Sequence, residues 1–108
     1  MLTLEESIAE EKKQYRAADK ALNIEYRKLL AGLDGAGRDK LVRAQRAWVA
    51  FRDANAMLRG HFSRGKVPVS DAVRASELRL YTALREMTEA RALELAAIGQ
   101  EREAAAKP

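Results

Sequence analysis

The stretch AQRAWVAFRDANA, residues 44–56, places the only tryptophan, Trp48, among Arg46, Arg52 and Asp53. A carboxylate and two guanidiniums beside an indole would suit a catalytic cluster, a recognition surface, or a packed helix with charged flanks. Helical spacing separates these. At 100° per residue, Arg46 and Asp53 fall opposite Trp48 and cannot form one site with it. Other chemistry is sparse. His61 is the only histidine and has no HExxH or comparable ligand spacing beside it. Ser63, Ser70 and Ser76 have no patterned base. Glu10 and Glu11, like Glu86 and Glu89, sit in amphipathic segments where carboxylates face solvent. The absence of cysteine removes a thiolate nucleophile, a disulfide framework and a cysteine metal site. We therefore expect no catalytic activity, no cofactor and no bound metal.

The surrounding elements read as long helices. With six Gly and two Pro in 108 residues, and Ala, Leu, Glu, Arg and Lys dominant, the chain has few helix breakers and no strand-like alternation. A first helix is expected over 3–33, where Leu4, Ile8, Tyr15, Ala18, Leu22, Tyr26, Leu29 and Leu33 recur at three- and four-residue steps. Thr3 with Glu6 three residues later fits a capping box. GLDGAGRD breaks the pattern with three glycines, and Asp34 can cap the next helix. A second helix is expected over 38–62, with Leu41, Ala44, Trp48, Phe51, Asn55, Leu58 and Phe62 on one face. That broad arc suits a middle helix touching two others. RGHFSRGKVPVS interrupts again, with Ser70 as the N-cap of a third helix over 71–100. Its stripe is Val73, Leu80, Leu84, Met87, Leu95 and Ile98. Residues 101–108 should fray. The short first connection implies antiparallel neighbours. The fold expected is all-α: one domain, an antiparallel three-helix bundle with long helices. Leu22, Tyr26, Trp48, Phe51 and Leu84 are its predicted core.

Charged groups interrupt the apolar stripes: Asp19 and Glu25 on the first helix, Arg52 with Asn55 on the second, Glu77 and Arg91 on the third. An unpaired buried charge is costly, so these six should form a seam network across helices, with Arg52 or Arg91 pairing to Asp19, Glu25 or Glu77.

Net charge is +4, and residues 38–66 hold the basic excess, with eight Lys and Arg against two Asp. Such a stripe can meet an acidic partner or phosphates. Arg59, His61, Arg64 and Lys66, in the glycine-bearing break at 59–69, are the candidate partner-binding residues. Nucleic acid ranks low as a partner, because no helix-turn-helix or stacking platform accompanies these cations. No apolar stretch reaches the roughly 18 residues of a membrane span.

Three segments carry a resemblance. YRAADKALNIEYRKLL, LVRAQRAWVAFRDANA and MTEARALEL resemble, in order, the motifs of the LprI-type lysozyme-inhibitor family (the LprI N-terminal-like domain), with this chain a cysteine-free variant. The matching positions are Ala18, Asp19, Leu22, Asn23 and Tyr26; Ala44, Gln45, Trp48, Phe51, Arg52 and Asp53; then Thr88, Arg91, Glu94 and Leu95. The resemblance implies a small all-helical bacterial protein of the periplasm or cell envelope, if an upstream signal peptide was removed, and otherwise of the cytoplasm. It also implies a non-catalytic binding function with lysozyme as the partner. The alternative is a small helical adaptor that binds another protein through an exposed helix face or the basic 59–69 segment. Leu78 and Leu93, pointing away from the main stripe, would suit a helix partner or a homodimer.

Overall fold

The computed structural model describes residues 1–61 and 69–107. Three helices succeed one another: α1 (Leu4–Gly32), α2 (Gly35–Arg59) and α3 (Val69–Ala106). The capping box forms as the sequence predicts. The Glu6 amide donates to Thr3 Oγ1 at 3.1 Å, and the Thr3 amide donates to Glu6 Oε1 at 3.2 Å.

The first break is tighter than expected. Only Leu33 and Asp34 lie between α1 and α2, and Asp34 Oδ1 accepts from the Gly37 amide at 2.8 Å. Gly35 and Gly37 therefore belong to the first turn of α2, with no left-handed backbone among the described residues. Gly37 matters for space: a Cβ there would meet Leu33 Cδ2 at 2.9 Å. At the other end, α3 begins at Val69, so Ser70 lies inside the helix and is not its cap. The tail is also not frayed. Helix continues to Ala106 through residues of good helical propensity, EREAAA.

Cross-helix contacts set the directions. Glu5 meets Arg74, Lys12 meets Glu77 and Gly32 meets Arg102, so α1 and α3 run parallel. Asn55 meets Met87 and Gln45 meets Arg91, so α2 runs antiparallel to both. The result is an up–down–up bundle, 63 Å along its longest axis. α3, not α2, is the middle helix: it packs along α1 and receives α2, whereas α1 and α2 touch little. At the close end of α2, a Cβ on Gly60 would lie 3.1 Å from Leu80 Cβ and 3.2 Å from the Ser76 carbonyl. A glycine there lets the backbones approach.

This arrangement changes which face of α2 is inside. Leu41, Arg52 and Ala56 are its buried residues, with Gln45, Trp48 and Asn55 half-buried beside them. Ala44 is exposed, as are Phe51 at 63% and Leu58 at 71%. The buried face keeps Leu41, Trp48 and Asn55 but is turned by about 60° from the one predicted, toward Gln45, Arg52 and Ala56. Phe51 is thus not core. Because α2 sits at the side of the bundle, it needs only one contact strip. That strip uses the small Ala56 and the stem of Arg52 in place of the larger apolar groups. Phe62 lies outside the described residues.

The main apolar cluster comprises Leu22, Leu29, Leu41, Ala92 and Leu95, with Tyr26, Trp48 and Ile98 against it. Leu84 is half-buried, and Val73 is exposed. The carbonyls at the end of α1 are met from outside the helix. Arg38 Nε donates to the Leu30 carbonyl and Arg102 Nη2 to the Gly32 carbonyl, each at 3.0 Å. The last turn of α1 has no basic residue of its own, so α2 and α3 supply cations to its negative end.

Thr88, on α3, is fully buried, and its hydroxyl has no hydrogen-bond partner among the described residues. A buried polar atom without a partner is destabilising, and an apolar group of the same shape removes that cost. Thr88→Val should therefore be neutral or stabilise the fold by about 1 kcal/mol in urea unfolding. A loss of stability would mean that the hydroxyl is bonded.

Candidate functional site

The polar residues of the middle motif converge on Trp48. Arg52, one helical turn along α2, is only 9% exposed. Its guanidinium carbon lies 5.1 Å from the Trp48 ring centroid and 5.7 Å from that of Tyr15 on α1. Both rings present π-density to the cation, and desolvation strengthens that attraction. Its charge is matched by the adjacent Asp53: Arg52 Nε donates to Asp53 Oδ1 at 2.9 Å, and Nη2 lies 2.9 Å from the same oxygen. From α3, Arg91 approaches the same indole, its guanidinium carbon 5.8 Å from the ring centroid. Arg91 Nε donates to Gln45 Oε1 at 3.1 Å, and Nη1 pairs with Glu94. Trp48 therefore contacts two guanidiniums, one from its own helix and one from α3.

The six seam residues are only partly brought together. Arg52 and Arg91 take Asp53 and Glu94, neighbours on their own helices, rather than Asp19, Glu25 or Glu77. Glu77 instead accepts Lys12 at 2.8 Å across α1 and α3. Glu25 meets Lys28 at 3.6 Å within α1, and Asn55 Nδ2 donates to Met87 Sδ at 3.1 Å. Asp19 is half-buried near Tyr15, whose phenol its charge influences. The physical reason is reach. A long guanidinium can fold back along its helix to a nearby acid while its plane covers a ring on the next helix.

Helical spacing sets Asp53 opposite Trp48 and so gives it no part in a site. Its exposed carboxylate nevertheless joins the cluster, because Arg52 bends toward it. Tyr15 reads in the sequence only as a packing residue, and the α1–α3 ladder is not among the predicted pairs. Within that ladder Arg85 pairs with Glu11, donating through Nη2 to Oε1 at 3.3 Å, and lies 3.3 Å from Glu89. The hydrogen bond that Arg85 donates to Glu11 holds its guanidinium above its ordinary pKa, and the one that Lys12 donates to Glu77 does the same for its ammonium. The available signal is the pairing of acids on one amphipathic helix with bases on another.

The candidate binding residues lie elsewhere. Arg59 and His61 are exposed at the end of α2, with Arg59 Nη1 3.6 Å from Glu86. Arg64 and Lys66 fall outside the described residues.

Around Trp48 the cations and acids neutralise one another and the rings cover the guanidiniums. That chemistry joins helices. The polar motif residues Gln45, Arg52, Asp53, Arg91 and Glu94 are its members, and Ala18, Leu22, Thr88 and Leu95 are buried on the helices that it joins. A family model, lysozyme inhibitor LprI, matches residues 5–95. The chain belongs to the LprI lysozyme-inhibitor family. No curated protein and no solved structure matches it. In this LprI chain the motifs read as instructions for joining three helices, and Asn23, Ala44 and Phe51 are motif positions whose side chains are exposed instead.

The cluster can be tested through its ring and its cation. Arg52→Lys keeps the charge but loses the planar group that covers two rings, so it should destabilise by about 1–2 kcal/mol. Trp48→Ala should cost about 3 kcal/mol, and the double variant less than the sum, measured by urea unfolding. Additive effects would show that ring and cation are not coupled. A second test is spectroscopic. Burial is the chief cause that raises the Tyr15 phenol above 10.0, partly offset by the Arg52 charge. Raised in the folded state, this group favours folding below the unfolded phenol pKa and loses that contribution as pH rises through its folded value. Ultraviolet titration of the parent minus Tyr15→Phe should show a midpoint above 10.0. A midpoint at or below it would contradict the packing.

Proposed function

We propose that this protein acts by binding, without catalysis, and that its target is lysozyme, which it inhibits in the cell envelope. The observation that carries this reading is family membership across residues 5–95. The geometry adds support. The motif residues are used between the helices, so inhibition falls to exposed surface rather than to a pocket of reactive groups. The basic end of α2, Arg59 and His61, continued in sequence by Arg64 and Lys66, would repel a cationic lysozyme and suits instead the acidic partner of an adaptor. Arg59 and His61 take no part in the core contacts that occupy Arg52 and Arg91. An extracytoplasmic location goes with this reading, and among the described residues no helix is long and apolar enough to cross a membrane.

The alternative is an adaptor that engages another protein through an exposed helix face or the basic 59–69 segment, and the outward Phe51 and Leu58 favour it. One assay separates the two. Lysis of a cell-wall suspension by a c-type lysozyme should slow as the protein is added, reaching a plateau near one equivalent. Arg59→Glu combined with Lys66→Glu should leave inhibition of that cationic enzyme undiminished, because the change removes like charge from the encounter. Undiminished lysis at low and moderate salt would reject the lysozyme reading and leave the adaptor.

A further inference from the structure

The outward face of α1 carries cations that no acid of the bundle matches. Ile8, Ala18, Leu22 and Leu29 are the buried residues of this helix. At 100° per residue, Lys13, Arg16, Lys20 and Arg27 stand on the opposite side, and all four are exposed. None of them takes part in an ion pair or a hydrogen bond among the described residues. Cations at the helix junctions differ: Lys12, Arg74 and Arg85 meet carboxylates across the α1–α3 contact. Asp19 and Glu25 are the acids of the 13–27 stretch. Both are half-buried, and Glu25 pairs with Lys28. The outward side of that stretch is therefore basic throughout.

The neighbouring helix widens the patch. Two contacts, Tyr15 with Arg52 and Leu30 with Arg38, set the antiparallel register of α1 and α2. They bring Arg43 and Arg46 level with the stretch between Lys20 and Arg27. Both arginines are exposed and likewise without an ion pair among the described residues, and the exposed acid beside them in sequence is Asp39.

We infer that the outward face of α1, with the adjoining part of α2, rests on a bilayer surface rich in anionic phospholipid. The shape of the patch carries the choice of occupant. Six cations on two adjacent helices span an area about 20 Å long and 10 Å wide. A single polyanionic strand would follow one row of charge, whereas a plane of headgroups meets both helices at once. Ile24, 46% exposed, borders the α1 row. The interfacial layer of a bilayer accepts an apolar side chain among cations, and a hydrated polymer offers it nothing. One isoleucine is too little for insertion, so the association is peripheral, electrostatic and sensitive to salt. It does not rest on the lysozyme reading.

Co-sedimentation of the full chain with vesicles tests this directly. Vesicles of phosphatidylglycerol and phosphatidylcholine in equal parts should carry the protein down at low salt, and vesicles of phosphatidylcholine alone should not. Binding should fall at least tenfold between about 0.01 M and 0.15 M salt. Lys20→Glu combined with Arg27→Glu should also weaken it at least tenfold, with a circular dichroism melt close to the parent's, because both residues are exposed. Lys13→Glu combined with Arg16→Glu serves as a second variant of the same face. Arg59→Glu combined with Lys66→Glu makes an equal change of net charge beyond this patch and should weaken binding far less. Equal losses in the two places would overturn the proposal, because net charge rather than this face would then govern binding. So would a chain left in the supernatant by anionic vesicles at low salt, equal binding to phosphatidylcholine, or binding to a short DNA duplex but not to vesicles.

Discussion

Everything in this bundle is arranged around the buried guanidinium of Arg52. A cation taken out of water needs compensation, and here it comes from three directions: the Asp53 carboxylate, the Trp48 ring and the Tyr15 ring. Tyr15 belongs to α1, and α1 and α2 otherwise touch little. The Arg52–Tyr15 contact is thus a principal link between these two helices along their length. Arg91 completes the arrangement by bringing α3 to the same indole. Such a cluster is orientation-dependent in a way that apolar contact is not. A helix that slid by one turn would leave a guanidinium without its ring, so the cluster fixes register while the leucines supply the bulk of the burial.

The two halves of the molecule use different physics. Toward the start of α1, contact with α3 is a ladder of ion pairs and aromatic edges: Glu5 with Arg74, Lys12 with Glu77, Glu11 with Arg85, and Tyr15 beside Tyr81 at 6.2 Å between centroids. These groups are partly exposed, and such pairs are individually weak and screened by salt. Toward the end of α1, contact is made by Leu22, Leu29, Leu41 and Leu95, with Arg38 and Arg102 closing the helix terminus. One end therefore rests on apolar burial, and the other adds screened ion pairs around the buried Ile8 and Ala83. The charged half is the one adjoining the C-terminal end of α2.

Much of this is legible in the sequence. Thr3 and Glu6 mark where α1 begins, and Asp34 where α2 does, because caps are local chemistry. The stripe of α1 holds from Leu4 to Leu33 because that helix has essentially one neighbour to face. The face of α2 escapes the same reasoning. Periodicity reports where the apolar side chains lie, but not which of two apolar strips a neighbour will cover. Phe51 and Leu58 outweigh Ala56 and the stem of Arg52 in the pattern, yet close approach at Gly60 favours the smaller strip. The pairing of the seam charges is also beyond the sequence. Six polar residues can be identified as needing partners, but whether Arg52 turns to Asp53 or to Asp19 depends on side-chain reach that spacing does not encode. The family motifs are visible because their residue types are unusual, and the structure gives them a shared reason.

The dominance of α1–α3 contact has a consequence for how the chain folds. Its largest interface joins the first helix to the last, through pairs such as Glu11 with Arg85 and Gly32 with Arg102, 74 and 70 residues apart in the chain. Helical bundles usually fold fast because neighbours in sequence are neighbours in space. Here the adjacent pair α1–α2 has little to hold it. During synthesis the first two helices must wait, amphipathic and unpartnered, until most of α3 has emerged. The sequence meets that wait with strong local helix signals and a high density of charge, which keep the nascent segments helical and soluble until the late closing contact forms.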